Sequence, residues 1–539
     1  MDDDKMRKEI AKRRTFAIIS HPDAGKTTLT EKLLLYGGAI QLAGSVRARR
    51  NQKNTTSDWM ELEKERGISI SSTLLQFEYN DCVINLLDTP GHKDFSEDTY
   101  RVLTAVDSVV MVIDAAKGIE DRTRKLFEIC RMRGIPIFTF MNKMDRPARD
   151  PLSLLDELEG VLGIGAFPVT WPLGSGQEFR GVYDRLEKNL HLFERTAHNE
   201  YRAPTHISRI DDDAVLKVIS PQMREVWLGD LEILSGAGES FDEEGLKAGL
   251  ITPVFFGSGM NNFGVQLLLD YFLKHGAQPQ PRRSTSGLVP VDSSDFSGFV
   301  FKVQANMNPR HRDRLTFVRV CSGQFVKDMV VDDPATGKPV RLSHPQKLFG
   351  QDRETLDVAY PGDIVGLVSR KAFRIGDTLS TNPRIRYDEI PRFPPEVFAY
   401  IRNTSAAKYK QLKEGLDQLL EEGLIQSFTL TDGPLVTTLL GAVGQLQFDV
   451  VMYRLKDEYS AEPQIEPAPY THIRWLGLGV DAQAMANDYL GRNTRIAKDS
   501  RGQYVILFPS KWSMDYFISE HSKIELRTVS PHQVAPAAE

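Results

Sequence analysis

The feature that most constrains this chain is a short apolar segment that passes through a glycine-containing turn into a helix-forming segment. The residues TFAIIS (15–20) have the apolar, β-branched character of a buried strand. The residues TLTEKLLLYG (28–37) carry helix formers and end at a glycine that suits a C-cap. Between them, SHPDAGKTT (20–28) is close to the phosphate-loop pattern G-x-x-x-x-G-K-[ST]. This order of strand, loop and helix is the context that a phosphate loop requires.

The loop departs from the pattern at two positions. Ser20 stands where the first glycine belongs, and Pro22 lies inside the loop. We expect Ser20 to occupy the tight turn with some strain, and a plain strand-to-helix turn is the alternative. In a working loop, backbone N–H groups and the helix N-terminus point at an anion, Lys26 reaches the β- and γ-phosphates, and the Thr27 hydroxyl binds Mg²⁺. The predicted nucleotide contacts in the loop are Ser20, His21, Pro22, Asp23, Ala24, Gly25, Lys26, Thr27 and Thr28.

A second motif, DTPGH (88–92), follows the apolar strand VINLL. An aspartate at the end of a strand is where a P-loop enzyme holds Mg²⁺, which predicts that role for Asp88. Gly91 lacks a Cβ and can turn its N–H toward a γ-phosphate. His92 is placed to orient an attacking water, although a lone histidine in a loop is more often structural. The predicted contacts here are Asp88, Thr89, Pro90 and Gly91, with His92 as the catalytic residue.

Between these motifs, ERGISIS (65–71) carries a hydroxyl after R-G-I. Ser69 is therefore a candidate to complete the Mg²⁺ shell and to report the γ-phosphate, as in loops that order with a nucleoside triphosphate. The alternative is a solvated loop that leads into the next strand. The predicted metal ligands are Thr27, Ser69 and Asp88.

The motif NKMD (142–145) ends the apolar strand IPIFTFM and indicates which base is bound. The Asp145 carboxylate suits the two N–H donors on the N1 and N2 edge of guanine, which adenine lacks. The stem of Lys143 can lie over the base, and Asn142 can tie loops together. In FGSG (256–259), Ser258 or Gly259 is a weaker candidate for the base oxygen. The four motifs in this order, each at a strand end, predict a site for GTP and GDP with Mg²⁺.

The length of 539 residues predicts about three to four domains. Strands alternating with helices predict an α/β P-loop GTPase domain at 1–277, with an insertion at about 172–250 that reads as irregular and then acidic. A Pro-, Ser- and Gly-rich linker (276–295) leads to short strand-like runs that predict an antiparallel β-barrel domain at 278–390. The order strand, helix, strand, strand, helix predicts a ferredoxin-like α+β domain at 391–539.

Composition limits the classes of partner and location. The net charge of −6 gives no overall basic field, and the basic residues are local: RKEIAKRR (7–14), VRARRNQK (46–53) and PRHRDR (309–314). Each segment is either a solvated face or a contact for RNA phosphates. The three cysteines are far apart and form no C-x-x-C, which suits a reducing cytoplasm. No apolar run approaches the ~18–20 residues that span a bilayer, so no membrane is expected.

The motifs resemble those of the translational GTPases, and within them the bacterial peptide chain release factor 3 family. WMELEKERGISISS, LLDTPGHKDFSEDTYR, MVIDAAKGIEDRTRKL and TFMNKMDR are all similar to that family, and the likeness extends over the barrel and the AVGQLQFDV segment. The resemblance implies that Lys26, Thr27 and Asp88 serve phosphate and Mg²⁺, that Asn142 and Asp145 bind the base, and that His92 acts in ribosome-triggered hydrolysis. It also implies that Ser20 and Ser69 are subfamily features.

The implied function is a ribosome-dependent GTPase that promotes departure of class I release factors after peptide release. The absence of GGQ fits this role, because a factor that hydrolyses the peptidyl ester needs that motif. The alternative within the class is another translocase-like or ribosome-protection GTPase, and the expected end of the chain after one ferredoxin-like unit speaks against it. A switch or scaffold in which GTP only gates binding, and an ATPase, are the alternatives from other classes. Guanosine tetraphosphate is a further candidate ligand, and a monomer is expected.

Overall fold

The computed structural model of the protein describes residues 3–38, 63, 69–193, 205–208, 220–236, 241–305, 314–333, 336–350, 352–368, 373–387, 390, 393–430, 437–477, 480 and 494–529. Three predicted features fall outside this set, in whole or in part. They are the basic segment 46–53, positions 309–313 of the basic segment 309–314, and positions 65–68 of ERGISIS.

The first unit is built on a largely parallel sheet. Its described strands, with those of the insertion, are β1 Arg13–Ser20, β2 Thr73–Tyr79, β3 Cys82–Asp88, β4 Ser108–Asp114, β5 Ile137–Asn142, β6 Gly165–Pro168, β7 Thr170–Leu173, β8 Gly181–Asp184, β9 Asn189–Phe193, β10 Thr205–Ser208 and β11 Ile251–Phe256. The described helices are α1 Asp3–Ala11, α2 Lys26–Tyr36, α3 Ser96–Thr104, α4 Asp121–Met132, α5 Pro151–Leu162, α6 Pro221–Gly236, α7 Glu243–Lys247 and α8 Val265–His275. The sheet order is β2-β3-β1-β4-β5-β11-β6, and only the β2–β3 pair is antiparallel.

Both faces of this sheet are covered, which explains why β1 reads as a continuous apolar run. Phe16 and Ile18 face one apolar cluster with residues of α2 and α8, whereas Ala17 and Ile19 face a second cluster with residues of α3 and α4. Alternate side chains of one strand therefore enter two different cores, as expected for a strand buried on both sides. None of the described helices is both long and apolar enough to cross a bilayer.

The insertion is more regular than its composition predicts. Strands β7 to β10 form a four-stranded antiparallel sheet in the order β10-β9-β8-β7, beginning at Thr170. Helices α6 and α7 follow it before β11 returns to the main sheet. The expectation of an irregular start at about 172 was therefore wrong, because strands this short leave little periodicity in the sequence.

The second unit consists of antiparallel strands, as predicted for the barrel. The described strands are β12 Arg282–Ser284, β13 Gly287–Val289, β14 Ser297–Ala305, β15 Arg314–Ser322, β16 Phe325–Val326, β17 Val330–Asp332, β18 Pro339–Arg341, β19 Pro345–Phe349, β20 Asp352–Thr355, β21 Val358–Ala359, β22 Ile364–Val368 and β23 Thr378–Ser380. Strands β12 and β13 form a hairpin inside the segment 276–295, so this segment is more than a linker. Strand β19 pairs with β2 between Phe349 and Leu75, which joins the barrel to the edge of the first sheet.

The third unit begins with the predicted ferredoxin-like order and then continues beyond it. Its described elements are β24 Val397–Asn403, α9 Tyr409–Glu421, β25 Gln426–Leu430, β26 Thr437–Ala442, α10 Gln445–Asp457, β27 Pro463–Pro467, β28 His472–Leu476, β29 Arg495–Asp499, β30 Tyr504–Phe508, α11 Lys511–Glu520 and β31 Leu526–Arg527. Strands β24 to β27 pair in the order β27-β24-β26-β25, the ferredoxin-like arrangement. Four more strands extend the same sheet from β25 through β29, β30, β28 and β31, an extension that the sequence pattern does not predict.

Candidate functional site

The four predicted motifs lie at one edge of the parallel sheet. Strand β1 ends at Ser20, β3 at Asp88, β5 at Asn142 and β11 at Phe256, and all four strands run in the same direction. In open α/β sheets, ligands bind outside the carboxyl ends of the strands. The sheet topology therefore gathers segments that are up to 239 positions apart into a single crevice, since Ser20 and Gly259 bound the set.

The loop after β1 does not need a glycine at its first position. Ser20 is the last residue of β1, and the positive φ angles of the loop fall on Asp23 (65°) and Gly25 (97°). The expected strain at Ser20 is therefore absent, because a serine fits an extended strand end without cost. Gly25 is the residue that must be glycine, since a Cβ there would overlap the Nδ2 atom of Asn142.

The start of α2 brings Lys26 into contact with Asp88. The Lys26 Nζ and an Asp88 oxygen form a buried ion pair, in which both side chains are less than one-tenth exposed. Thr27 and Thr28 follow within the first turn of the helix and are half-buried. Lys26, the predicted phosphate ligand, and Asp88, the predicted Mg²⁺ ligand, are therefore in direct contact beside the N-terminus of α2.

The donor set suits Mg²⁺ and does not suit an all-protein metal cage. The oxygens of Thr27, Ser69 and Asp88 are hard ligands, and Mg²⁺ binds through one or two carboxylates together with phosphates and water. Within the described part of the chain, no cluster of three or more His, Cys, Asp or Glu side chains is placed to hold a metal ion. Ser69 is half-buried and precedes Ile70, whose N–H donates to Glu63 Oε1 at 2.9 Å.

The segment DTPGH is held by strand β1 and helix α3. The Thr89 hydroxyl donates to the Ile18 carbonyl oxygen at 2.8 Å, and the Pro90 carbonyl oxygen accepts from the Thr99 hydroxyl at 3.2 Å. A Cβ on Gly91 would lie 3.5 Å from the Pro22 Cα, an ordinary contact, and Gly91 has no positive φ. The backbone conformation and the surroundings of Gly91 in this structure would therefore also accept an alanine.

The imidazole of His92 is oriented by Asp94. Its Nδ1 accepts from the backbone N–H of Asp94 at 3.3 Å and lies 3.5 Å from Asp94 Oδ1. Because Nδ1 accepts this bond, the neutral ring carries its proton on Nε2. The His92 side chain is 37% exposed, so the ring is open to solvent and is not part of the core.

The NKMD segment ties three loops together at the other end of the crevice. Asn142 Nδ2 donates to the Ala24 carbonyl oxygen at 2.8 Å, and its Oδ1 accepts from the Gly259 N–H at 2.9 Å. Lys143, in the left-handed region with φ of 70°, donates to the Asp23 carbonyl oxygen. Asp145 is half-buried, and its carboxylate has no hydrogen-bond partner among the described residues. That carboxylate is available to a ligand.

Sequence reasoning missed Asp114, which positions Lys143. Asp114 ends β4 and accepts from Lys143 Nζ at 2.7 Å. Burial alone would raise the pKa of Asp114, but the hydrogen bonds from Lys143 and from the Ala116 N–H bring that pKa below its ordinary value. The signal available in the sequence was an aspartate that directly follows an apolar strand, as in the case of Asp88.

Ser258 and Gly259 lie next to Asn142, but their backbone N–H groups already have partners. The Ser258 N–H donates to the Phe263 carbonyl oxygen at 2.9 Å, and the Gly259 N–H donates to Asn142. Ser258 is fully buried. Their predicted contact with the base oxygen stays a prediction.

The basic segment 7–14 is used inside the chain. Arg13 and Arg14 are each only 6% exposed. Arg13 Nε donates to Asp363 Oδ2 at 3.1 Å, and Arg14 Nε donates to the Leu273 carbonyl oxygen at 3.1 Å. Arg7 pairs with Asp292, and Lys8 and Lys12 pair with acids of the same helix. Arg13 therefore joins the first unit to the second, whereas Arg7, Lys8 and Lys12 stay exposed in ion pairs within the chain.

Comparisons with known proteins agree with this architecture. Residues 11–278 match the family model "Elongation factor Tu GTP binding domain", residues 295–382 match "Elongation factor G domain 2", and residues 387–518 match "Class II release factor RF3, C-terminal domain". A crystal structure of a protein from Thermus thermophilus aligns with a TM-score of 0.69 at 23% identity, over 90% of this chain and 72% of that one. These matches and the strand pairing confirm the predicted fold class.

Curated relatives extend over nearly the whole chain. "Peptide chain release factor 3" of Synechococcus elongatus is 54% identical over 529 residues, which is 98% of this chain and 94% of that protein. The proteins of the same name from Gloeobacter violaceus and Synechocystis sp. are 53% and 52% identical, over 97% and 98% of this chain and 98% and 96% of their own length. The GTP-binding domain and these relatives make the chain an enzyme that hydrolyses GTP. The chain belongs to the peptide chain release factor 3 family of translational GTPases.

Proposed function

We propose that this GTPase acts on the ribosome in translation termination, where it promotes dissociation of a class I release factor after peptide release. The observation that carries the proposal is the match of residues 387–518 to the C-terminal domain of class II release factors, together with relatives of that name along 98% of the chain. This third unit is what separates the chain from GTPases that share only the first two units. We also propose that it works in the cytoplasm as a monomer.

The crevice supplies the phosphate contacts. The backbone N–H groups between Ser20 and Thr28, at the N-terminus of α2, favour a bound anion. Lys26 would transfer from Asp88 to the β- and γ-phosphates, because a phosphate offers more acceptors than one carboxylate oxygen. Thr27, Asp88 and Ser69 would hold Mg²⁺, which supplies positive charge beside the transferring phosphoryl group when bound.

The other end of the crevice supplies selectivity for guanine. Asp145 would accept from the two N–H donors of the guanine edge, and an adenine would leave this carboxylate without partners. Asp114 fixes the ammonium of Lys143, so the lysine stem can lie along one face of the base. Asn142 joins the phosphate loop to the loop after β11. Guanosine tetraphosphate would make the same contacts through its GDP half, so we propose it as a competitor at this site.

His92 borders the crevice on the side of the phosphate loop, where Gly91 contacts Pro22. We assign it the orientation of the attacking water, with Nε2 directed toward the reacting groups and Nδ1 held by Asp94. Phosphoryl transfer depends mainly on positioning and charge, so this role needs the right ring orientation more than a special basicity.

The test uses purified ribosomes halted at a stop codon with a fluorescent class I release factor bound. The full chain is added with GTP, and factor dissociation and phosphate release are followed in the same reaction. We expect fast dissociation that requires the chain and a guanine nucleotide, and we expect His92→Ala to lower ribosome-stimulated hydrolysis by roughly 10²-fold or more. Ribosome-stimulated hydrolysis without faster dissociation would overturn the termination role and favour a translocase-like or ribosome-protection function.

A further inference from the structure

The segment after His92 contacts the N-terminus of helix α10 in the third unit. Asp94 Oδ2 accepts from the backbone N–H of Leu446 at 2.9 Å, and Asp94 is only 5% exposed. A Cβ on Gly444 would overlap the Asp94 carboxyl group, so the Asp94 side chain lies directly against the Gly444 backbone. This contact joins residues that are 352 positions apart in the sequence.

Asp94 acts as the cap of α10. A helix leaves its first N–H groups without internal partners, and an N-cap side chain usually accepts from one of them. The N-cap residue of α10 is Gly444, which has no side chain to do so. The carboxylate that satisfies this N–H comes from the first unit, and its negative charge also suits the positive end of the helix.

The same aspartate faces His92 with its other polar atoms. One carboxylate oxygen bonds α10, whereas the backbone N–H and the second oxygen lie beside Nδ1 of the imidazole at 3.3 Å and 3.5 Å. A shift of α10 would therefore move Asp94 and change the orientation of the ring. No described side chain other than Asp94 bonds or pairs with the imidazole nitrogens.

Apolar contacts between the first unit and helix α10 add to this link. Phe95, three positions after His92, packs with Val450 of α10 and with Ile70, and Leu446 and Tyr453 of the same helix border the cluster. Ile70 directly follows Ser69, the predicted sensor of the γ-phosphate. The segment of His92 and the segment of Ser69 thus rest on one helix of the third unit.

We propose that Asp94 is a positioning residue through which α10 of the third unit sets the orientation of His92 for ribosome-stimulated hydrolysis. This inference rests on the role of His92 in the proposed function. It makes the rate of hydrolysis, and not nucleotide affinity, depend on how the third unit is docked. A displacement of a reacting group by about 1 Å can cost roughly 10²-fold in rate.

The experiment approaches the contact from both sides in the full chain. Asp94→Ala removes both the acceptor and the charge, whereas Asp94→Asn keeps an oxygen for the Leu446 N–H. Gly444→Ala places a methyl group against the Asp94 carboxyl group and leaves the sequence of the first unit unchanged. The φ of −149° at Gly444 is one that alanine adopts freely. Asp150→Ala is the matched control, because Asp150 also caps a helix, α5, through the Ser153 N–H at 2.9 Å, and α5 carries none of the predicted site residues.

We expect Asp94→Ala and Gly444→Ala to lower the kcat of ribosome-stimulated hydrolysis by about 10- to 100-fold, with KM for GTP and the Kd for fluorescent GDP changed by less than about 3-fold. Asp94→Asn should restore much of kcat, and Asp150→Ala should leave it near wild type. The double variant His92→Ala/Asp94→Ala should be no slower than His92→Ala alone, because residues that act as a unit are not additive.

The outcomes separate the two proposals. If His92→Ala is slow but Asp94→Ala and Gly444→Ala keep the wild-type kcat, the positioning role is wrong and the function of His92 stands. A loss of kcat that comes with an equal loss of GDP affinity would show a structural role only, and would overturn the inference. If His92→Ala keeps the wild-type rate, the assignment of His92 fails and the positioning role fails with it.

Discussion

The Nζ atom of Lys302, in strand β14 of the barrel, lies 2.6 Å from the Oγ atom of Ser71, which is 231 positions earlier in the chain. Lys302 also donates to the Ser72 hydroxyl at 2.8 Å and lies 3.7 Å from Asp98. Burial is the main cause that lowers the pKa of Lys302, and the carboxylate of Asp98 opposes that shift. The buried ammonium group of Lys302 in the second unit therefore holds the segment that follows Ser69 in place.

Replacing Lys302 by methionine should destabilise the protein. Methionine fills a similar volume, but it leaves the two serines and Asp98 without their shared donor inside the fold. We expect the free energy of unfolding, measured by urea denaturation, to fall by about 1–3 kcal/mol. The control is Lys327→Met, an exposed lysine of the same barrel paired with Asp357, which should change stability by less than about 0.5 kcal/mol. Equal effects of the two variants would contradict a special role for Lys302.

Gly25→Ala should abolish tight nucleotide binding. The φ of 97° is strained for alanine by about 1–2 kcal/mol, and the new Cβ would displace Asn142, which joins the base loops. We expect the Kd for fluorescent GDP to rise by roughly 10²-fold, the combined effect of this strain and a lost hydrogen bond. Gly91→Ala is the matched control and should stay within about 3-fold of wild type, because its Cβ would meet Pro22 at an ordinary distance. Comparable losses in both variants would refute the assignment of the essential glycine.

Asp145→Asn should reduce the preference for guanine. An asparagine presents one donor where guanine needs two acceptors, so GDP should bind roughly 10- to 100-fold more weakly. Xanthosine diphosphate, which has a carbonyl in place of the amino group, should gain relative to GDP in a competition assay. Asp156→Asn, an exposed aspartate of α5, controls for the loss of one charge. An unchanged ratio of the two affinities would mean that Asp145 does not contact the base.

His191 should make stability fall in mild acid. Burial within the inserted sheet is the main cause that lowers the pKa of His191 below its ordinary 6.5, although Asp184 opposes that shift. Below pH 6.5 the unfolded chain therefore takes up a proton that the folded chain does not, and the free energy of unfolding decreases with falling pH until the lowered pKa is reached.

His191→Gln should make that decrease shallower, as measured by urea denaturation at a series of pH values from neutral downward. His344→Gln, at an exposed barrel position, serves as the control for removing a histidine. A pH dependence that is unchanged in His191→Gln but reduced in the control would reverse the assignment.

The crevice was largely predictable because its motifs are local and the sheet brings them together. Each of Ser20, Asp88 and Asn142 ends an apolar run, and parallel strands place such ends on one edge. The same logic applies to Asp114, which ends the apolar run of β4. The conformation of Ser20 was not predictable, since the pattern marks a glycine position without stating which residue carries the positive φ.

Contacts between the units were beyond the reach of the sequence. The bond from Leu446 to Asp94 and the insertion of Lys302 beside Ser71 depend on how separate cores dock, and no periodicity records that. The burial of Arg13 and Arg14 was likewise not predictable, because a run of charged residues indicates a solvated face unless its partners are known. The four strands added to the ferredoxin-like sheet were missed because each has at most five residues, too few for a clear alternation of apolar and polar residues.

The pairing of Phe349 with Leu75 has a consequence for the integrity of the first sheet. Strand β2 is its terminal strand, and beside this pair the Gly350 N–H donates to the Leu74 carbonyl oxygen at 3.0 Å. Uncovered edge strands are templates for association between molecules. The barrel therefore covers the edge of the first sheet. A chain cut between the first and second units would expose strand β2 as an edge strand, which favours association with other molecules over a stable, separate GTPase domain.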